Sequence, residues 1–475
     1  MLRSIGLAIA VTAAALALAL PLAWLTTRSD LPGRRAWAVL TMLPLVIPSY
    51  IGAYLFVSAL GPRGLLAQIL DGPLGIERLP PIYGFPGAWL TLTLFTYPLA
   101  LLTIHAATRR LDPQLEEAAR GMGRSSWSVY RTVVLPQLAP AIGAGALLVS
   151  LYVLHDFGAV SIMRFDSFTR VIYNAYNAGY DRTSAAALAS LLVLVMLIVV
   201  WLESRMRGRG AFHRSAPGTI RPARVTPLGR WRWPALALCA TVVLLGLALP
   251  VAVLVYWLTQ SVAGSPDWAA TASAAANSLF AAGLAAAVAA LCAIPVALLS
   301  ARHPGALSGL VERASHAGYA LPGIVVALAL VFLGTRLAEP LYGTLAMLIF
   351  AWVVLFLPQA IGSTRASLLQ IPPSVEEAAR GLGRGPFAVL RSVTAPLAAS
   401  GVLAGAALVF LTAVKELPAA LILAPIGFDT LAAEIWQATN VSFFERGAFP
   451  ALALLVVSAV PLYLMTAALA YDRGR

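Results

Sequence analysis

The sequence predicts an all-α polytopic membrane protein, with about eleven transmembrane helices in two repeated units. Three observations carry this. Of 475 residues, 60% are hydrophobic and 11% charged, against about a quarter charged in soluble domains, so lipid is the main solvent. Apolar runs long enough to cross a bilayer recur along the whole chain. Finally, EEAARGMGR at 116–124 returns as EEAARGLGR at 376–384.

A membrane helix needs about 20 mostly apolar residues. Runs of that kind cover 5–26, 38–60, 86–108, 137–158, 184–203, 234–258, 276–300, 316–335, 341–362, 397–415 and 447–470. An odd number of spans puts the termini on opposite sides. Segments 27–37, 109–136, 204–233, 301–315, 363–396 and 471–475 hold 24 of the 33 basic residues, which makes them cytosolic and the N-terminus external. The first run follows Arg3 and could pass for a signal peptide. Yet LALPLAWLTTR at 18–28 matches CAIPVALLSAR at 292–302, pairing Pro21 with Pro295 and Arg28 with Arg302. A segment with a twin in mid-chain reads as part of the fold.

The motif repeat has an offset of 260 and extends to Arg131/Arg391, Pro136/Pro396 and Pro98/Pro358. Nearer the start of each half the offset is 274, linking Pro48 to Pro322, and a longer external loop near 61–85 absorbs the difference. The predicted units are 1–203, with a cytosolic loop at 109–136, and 234–475, with a loop at 363–396. A basic linker, 204–233, joins them and contains Pro217, Gly218, Pro222 and Pro227. The 234–258 helix has no partner in the first half, so either the true start lies upstream or that helix has been lost.

Each cytosolic loop predicts two short helices beneath the membrane. Ser374 with Glu377 three residues on has capping-box spacing, and Asp112–Pro113 offers a comparable start. Gly123 and Gly383 stand where positive φ would end the first helix. The second should run to Pro136 or Pro396, where the chain turns into the next span. Ala118–Ala119 and Ala378–Ala379 leave a shallow surface flanked by both charge signs. One such copy fits an unpartnered connecting helix; two near-identical copies between dissimilar spans argue for a contact that both make.

These residues resemble the coupling motif of ABC-importer permeases: Glu-Ala-Ala, three residues, Gly, nine residues, an aliphatic, one residue, Leu-Pro. The first copy supplies Glu117, Ala118, Ala119, Gly123, Val133, Leu135 and Pro136; the second supplies Glu377, Ala378, Ala379, Gly383, Val393, Ala395 and Pro396, with Ala395 in place of leucine. The resemblance implies a type I binding-protein-dependent (MetI-like) permease of the bacterial inner membrane, working by alternating access. Its partners would be two copies of an ABC ATPase, docked on these residues together with Glu116 and Glu376, and an external substrate-binding protein. KELPAALILAPIGFDTLAAEI at 415–435 and HDFGAVSIMRFDSFTRVIYNAYNAGYDRT at 155–183 look like fused ferric-iron permeases. Permeases for thiamine, 2-aminoethylphosphonate and polyamines share much of the pattern.

Independently of that likeness, the chain's one lysine, Lys415, precedes Glu416, so no GxxxxGK[ST] phosphate loop exists. The chain is therefore expected to be no enzyme and to bind no cofactor, with ATP used by the partner. Its net charge of +13 is scattered between apolar runs, which excludes a nucleic-acid surface. Cys239 and Cys292 lie in apolar stretches and build neither disulfide framework nor metal cluster. The rival readings are an ion-coupled secondary transporter, which would call for carboxylates at midplane, and a membrane subunit without transport activity.

His155–Asp156 and Lys415–Glu416 stand opposite one another in the repeat, at the outer ends of equivalent spans. With Pro418, they either contribute to an outer gate or path, or anchor helix ends at the interface. Tyr173, Tyr176, Tyr180 and Asp181 offer oxygen ligands to a hard cation, or simply form an aromatic belt. His105, His303 and His316 show no metal-ligand spacing.

Overall fold

The structure, a computed structural model, describes residues 1–475 apart from 110, 112, 178, 180–181, 208–224, 264–266, 304, 306–307, 312–317, 319–320, 442 and 473–475. The described residues are helical almost throughout, and the chain divides into two compact units, Met1–Trp257 and Leu258–Arg475. Among the described residues, eight helices are long and apolar enough to cross a membrane: Leu2–Arg28, Ser49–Asp71 (which turns at Gly61), Phe85–Arg109, Trp127–His155, Gly229–Gln260, Trp268–Arg302, Leu345–Gln370 and Pro386–Ala413. Thr183–Val199 and Gly323–Arg336 are shorter apolar helices, and Phe444–Asp472 closes the chain.

Within each unit three helices pack pairwise into a core. They are an opening helix (Leu2–Arg28; Trp268–Arg302), a middle helix (Phe85–Arg109; Leu345–Gln370) and a stem helix leaving the cytosolic loop (Leu135–His155; Ala395–Ala413). Lipid tails are as apolar as leucine, so close backbone packing rather than hydrophobic burial must hold such helices together. The opening helix of the second unit accordingly buries Ala274, Ser278, Ala281, Ala285, Ala289, Ala293, Ala297 and Ser300, a small residue every three or four positions. On the stems, Gly145 faces Ala100 and Gly405 faces Ala360: a Cβ would come within 2.9 Å and 3.0 Å of those Cα atoms. Large apolar side chains such as Ile9, Phe280, Leu291 and Leu403 point outward instead, toward lipid.

Two apolar runs are interrupted. In 38–60, Arg34–Leu40 and a 3₁₀ turn at Leu43–Val46 precede Pro48, and the membrane helix begins only at Ser49. Pro322 likewise precedes Gly323–Arg336. A fixed φ and a missing N–H suit a residue at a helix start, so this repeated proline pair opens helices, whereas Pro98 and Pro358 lie inside the middle helices. The 61–85 loop contains the helix Leu65–Leu74. The leading helix assigned from sequence to the second half packs within the first unit as far as Trp257. Gly246 lies against Pro44, and Trp257 Nε1 donates to Ser58 Oγ.

Candidate functional site

The cytosolic loops fold alike. Each carries a nine-residue helix, Pro113–Gly121 or Pro373–Gly381. Proline opens both; in the second copy Pro372 is the cap residue and makes no side-chain cap bond, so Ser374 does not form the expected capping box. Asp112, the start signal expected in the first copy, lies outside the described residues. Both helices end as the glycines predict. Gly123 and Gly383 have φ +81°; their N–H groups donate to Arg120 O and Arg380 O at 2.9 Å. The next amides, Arg124 and Arg384, reach back to Ala119 O and Ala379 O at 3.3 Å and 3.2 Å, which completes a Schellman ending in each copy. The Arg124 and Arg384 side chains bond Thr132 Oγ1 and Ser392 Oγ across the turn.

The chain then departs from expectation. Instead of a separate second helix turning at Pro136 or Pro396, one continuous helix runs from the loop into the stem. The prolines lack the N–H that would bond residues 132 and 392, and in both copies a five-residue stretch ending two positions before the proline, Tyr130–Val134 and Leu390–Thr394, widens into a π-turn.

The neighbouring acids of the motif have opposite environments. Glu117 and Ala118 are exposed, as are Glu377 and Ala378; Glu116, Ala119, Glu376 and Ala379 are buried. Glu116 is paired with Arg28 at 3.3 Å and with Arg120 at 3.8 Å. Glu376 is paired with Arg302 at 2.9 Å and with Arg380 at 3.7 Å, and it also accepts from Thr394 Oγ1 at 3.1 Å. Arg28 and Arg302 are the last residues of the opening helices. The repeat had matched them to each other without suggesting what they do.

The loop helices also present apolar groups to solvent. Leu115, Met122 (72% exposed) and Trp127 (70%) recur at the same offset as Val375, Leu382 (84%) and Phe387 (76%). Nothing lies within 4 Å of a Cβ placed on Gly121, Gly123, Gly381 or Gly383, so the surface around these groups is open. Exposed apolar patches mark interaction sites, and a patch repeated position for position in each unit indicates the same kind of contact twice. The 260 offset pairs these apolar positions in the sequence, but only the fold shows that they face water.

This chain matches the family model "Binding-protein-dependent transport system inner membrane component" over residues 6–208 and 293–471, which include both loops. The chain belongs to this family. It is thus the membrane-spanning permease of an ABC importer, a transport subunit of the inner membrane that works with an ATPase and a binding protein. It is similar to Fe(3+)-transport system permease protein FbpB 2 of Haemophilus influenzae, at 32% identity over 97% of this chain and 88% of that relative. Ferric transport system permease protein FbpB of Actinobacillus pleuropneumoniae is 23% identical, over 90% of this chain and 64% of its own length. Molybdenum transport system permease protein ModB of Escherichia coli is 30% identical over 39% of this chain but 85% of its own, a relative about half as long.

At the outer ends of the stems, each helix breaks beside its ionisable pair, His155–Asp156 or Lys415–Glu416. The first stem ends at His155 and the chain resumes as Gly158–Ile162; the second ends at Ala413 and resumes as Pro418–Leu423. Asp156 accepts from Val160 N at 3.2 Å and from the Ser49 hydroxyl. Glu416 accepts from Ala419 N and Trp352 Nε1, both at 3.0 Å, and from Ala420 N at 3.3 Å. The two carboxylates therefore satisfy the free N–H groups of the short helices. His155 Nδ1 lies 2.7 Å from Leu151 O, and Lys415 is half-buried.

Ser49 and Gly323 are equivalent in the repeat, each following its helix-opening proline. In the first unit a short acid meets a serine. In the second, a longer acid fills the space over a glycine, where a Cβ would lie 2.3 Å from Glu416 Oε1. Side-chain length moves from one partner to the other while the joint between the stem's end and the opened helix is kept.

Of the remaining sequence candidates, Tyr173 packs on Phe157 with ring centres 4.7 Å apart and accepts from Asn177, and His105 Nδ1 lies 3.3 Å from Thr26 Oγ1. His303 is exposed. Tyr180, Asp181 and His316 lie outside the described residues, as do Pro217, Gly218 and Pro222 of the linker. No group of three or more His, Cys, Asp or Glu positioned to hold a metal ion occurs among the described residues.

Proposed function

We propose that this permease carries ferric iron, delivered by an external binding protein, to the cytosol, and that two copies of an ABC ATPase drive it by docking on its two loop helices. The substrate reading is supported by similarity to the Haemophilus influenzae Fe(3+)-transport permease over 97% of this chain. Docking is supported by the repeated exposed surface: an acid (Glu117, Glu377), a small residue allowing close approach (Ala118, Ala378) and apolar anchors (Leu115, Met122, Trp127; Val375, Leu382, Phe387). Central apolar and aromatic groups within a polar rim are what a stable protein contact uses. Buried Glu116, Ala119, Glu376 and Ala379 shape this surface from beneath, Gly123 and Gly383 end its helices, and Pro136 and Pro396 set the stems that follow.

Alternating access then requires the outer ends of the stems to open and close. His155, Asp156, Lys415, Glu416 and Pro418 act there as positioning groups for the helix breaks. Two measurements test the proposal. Proteoliposomes holding the permease, its ATPase and its binding protein should accumulate radiolabelled ferric iron when ATP is supplied, and an excess of thiamine, 2-aminoethylphosphonate or polyamine should not compete. Uptake of one of those organic compounds in place of iron would overturn the substrate. Glu117→Arg with Glu377→Arg should strip the ATPase from the purified permease; full retention would overturn the docking surface.

A further inference from the structure

Each loop helix is tied to the opening helix of its own unit. Arg28 Nη1 reaches Glu116 at 3.3 Å, while Nε and Nη2 donate to Thr108 O at 3.3 Å and 3.1 Å and Nη2 to Leu111 O at 3.1 Å. Arg302 Nε and Nη2 hold Glu376 Oε1 at 3.1 Å and 2.9 Å, and Nη2 also donates to Ile371 O at 3.2 Å. Leu111 and Ile371 are equivalent positions. One planar guanidinium therefore bridges three elements in each unit: the end of the opening helix, the chain leaving the middle helix, and the loop helix.

The ties differ in strength. At the position of Thr394, which adds a hydroxyl to Glu376, the first unit has buried Val134. Glu376 thus receives two guanidinium N–H groups on one oxygen and a hydroxyl besides, whereas Glu116 receives a single longer contact from Arg28. Short charge-assisted bonds are the stronger ones.

We propose that Arg28 and Arg302 are positioning residues that pass ATPase motion from each loop helix directly to the opening helix, with the second link the stiffer. The inference rests on the docking surface proposed above. A loop helix joined to the fold only through its stem could tilt about the π-turn without moving the opening helix. With the arginine in place, displacing the loop helix pulls on Arg28 or Arg302, and through it on a helix that runs to the far side of its unit.

The test uses the assembled permease, ATPase and binding protein in proteoliposomes, with iron uptake and ATP hydrolysis measured on one preparation. Arg302→Lys keeps the charge but loses the two-pronged grip. It should lower iron moved per ATP roughly fivefold or more, with ATPase retention unchanged. Thr394→Val should shift the ratio the same way by less, and Val134→Thr, which buries no charge, should leave it intact or raise it. Uptake and hydrolysis falling together at a constant ratio in Thr394→Val and Arg302→Lys would overturn the link. If Arg302→Lys fails to assemble, Thr394→Val alone decides: an unchanged ratio overturns the proposal. Loss of ATPase retention in the Glu117→Arg, Glu377→Arg variant is a separate readout, so failure of docking is distinguishable from failure of the link.

Discussion

Exchange of side-chain length between Asp156–Ser49 and Glu416–Gly323 gives a quantitative prediction. Asp156→Glu adds a methylene where the Ser49 hydroxyl already contacts the carboxylate, and both residues are buried. Overpacking of that size costs about 1–3 kcal/mol. Ser49→Gly alone removes the hydrogen bond to Asp156, the one accepted from the Tyr152 hydroxyl at 3.3 Å, and helix rigidity, at about 1 kcal/mol each. The double variant reproduces the second unit's arrangement, a glutamate over a glycine, so its loss should fall short of the sum by about 1–2 kcal/mol. The reverse substitution, Gly323→Ser, places a Cβ 2.3 Å from Glu416 Oε1 and should be tolerated only with Glu416→Asp. Reversible unfolding of the purified permease in mixed micelles measures the four corners of the first cycle. Strict additivity would refute the claim that the two joints are one device with its length redistributed.

Other outcomes follow from the same geometry. Gly145→Ala and Gly405→Ala each set a methyl about as close as 3 Å to a neighbouring Cα. Either should lower the unfolding midpoint, by an amount matching about 1–3 kcal/mol. Glu434 lies in the Leu431–Asn440 helix between membrane spans, where burial, then Asp429 and Asp267, push its carboxyl from 4.5 up to about 7. The folded state therefore holds this proton more tightly than the unfolded one. Its contribution is full below about pH 4.5 and is lost as pH rises toward about 7. Glu434→Gln should raise the thermal midpoint at about pH 8 and leave it nearly unchanged at about pH 4; an equal shift at both would contradict the assignment.

Much of this fold is legible in the sequence because lipid imposes a strong pattern. Among the described residues the apolar runs are largely helical, with breaks before Ser49 and Gly323, and the repeat set the equivalences on which the site is built. The glycine endings were predictable too, since the conformation at Gly123 and Gly383 admits few other residues. Three things were not. Spacing alone does not say that Glu116 turns inward while Glu117 turns outward; that depends on Arg28, which is 88 residues away in the chain. The continuity through Pro136 and Pro396 depends on a π-turn, which leaves no pattern in a single sequence. And an apolar residue on a cytosolic loop, such as Trp127 or Phe387, resembles a buried one until the fold shows it facing water.

On the docking proposed above, one permease chain offers two equivalent seats to the ATPase. Native mass spectrometry of the complex, purified in detergent from cells expressing both proteins, tests it most directly. One permease chain with two ATPase chains is expected, falling to one ATPase chain when either Glu117→Arg with Trp127→Ala or Glu377→Arg with Phe387→Ala is introduced. A complex that keeps both ATPase chains in each of these variants would contradict it.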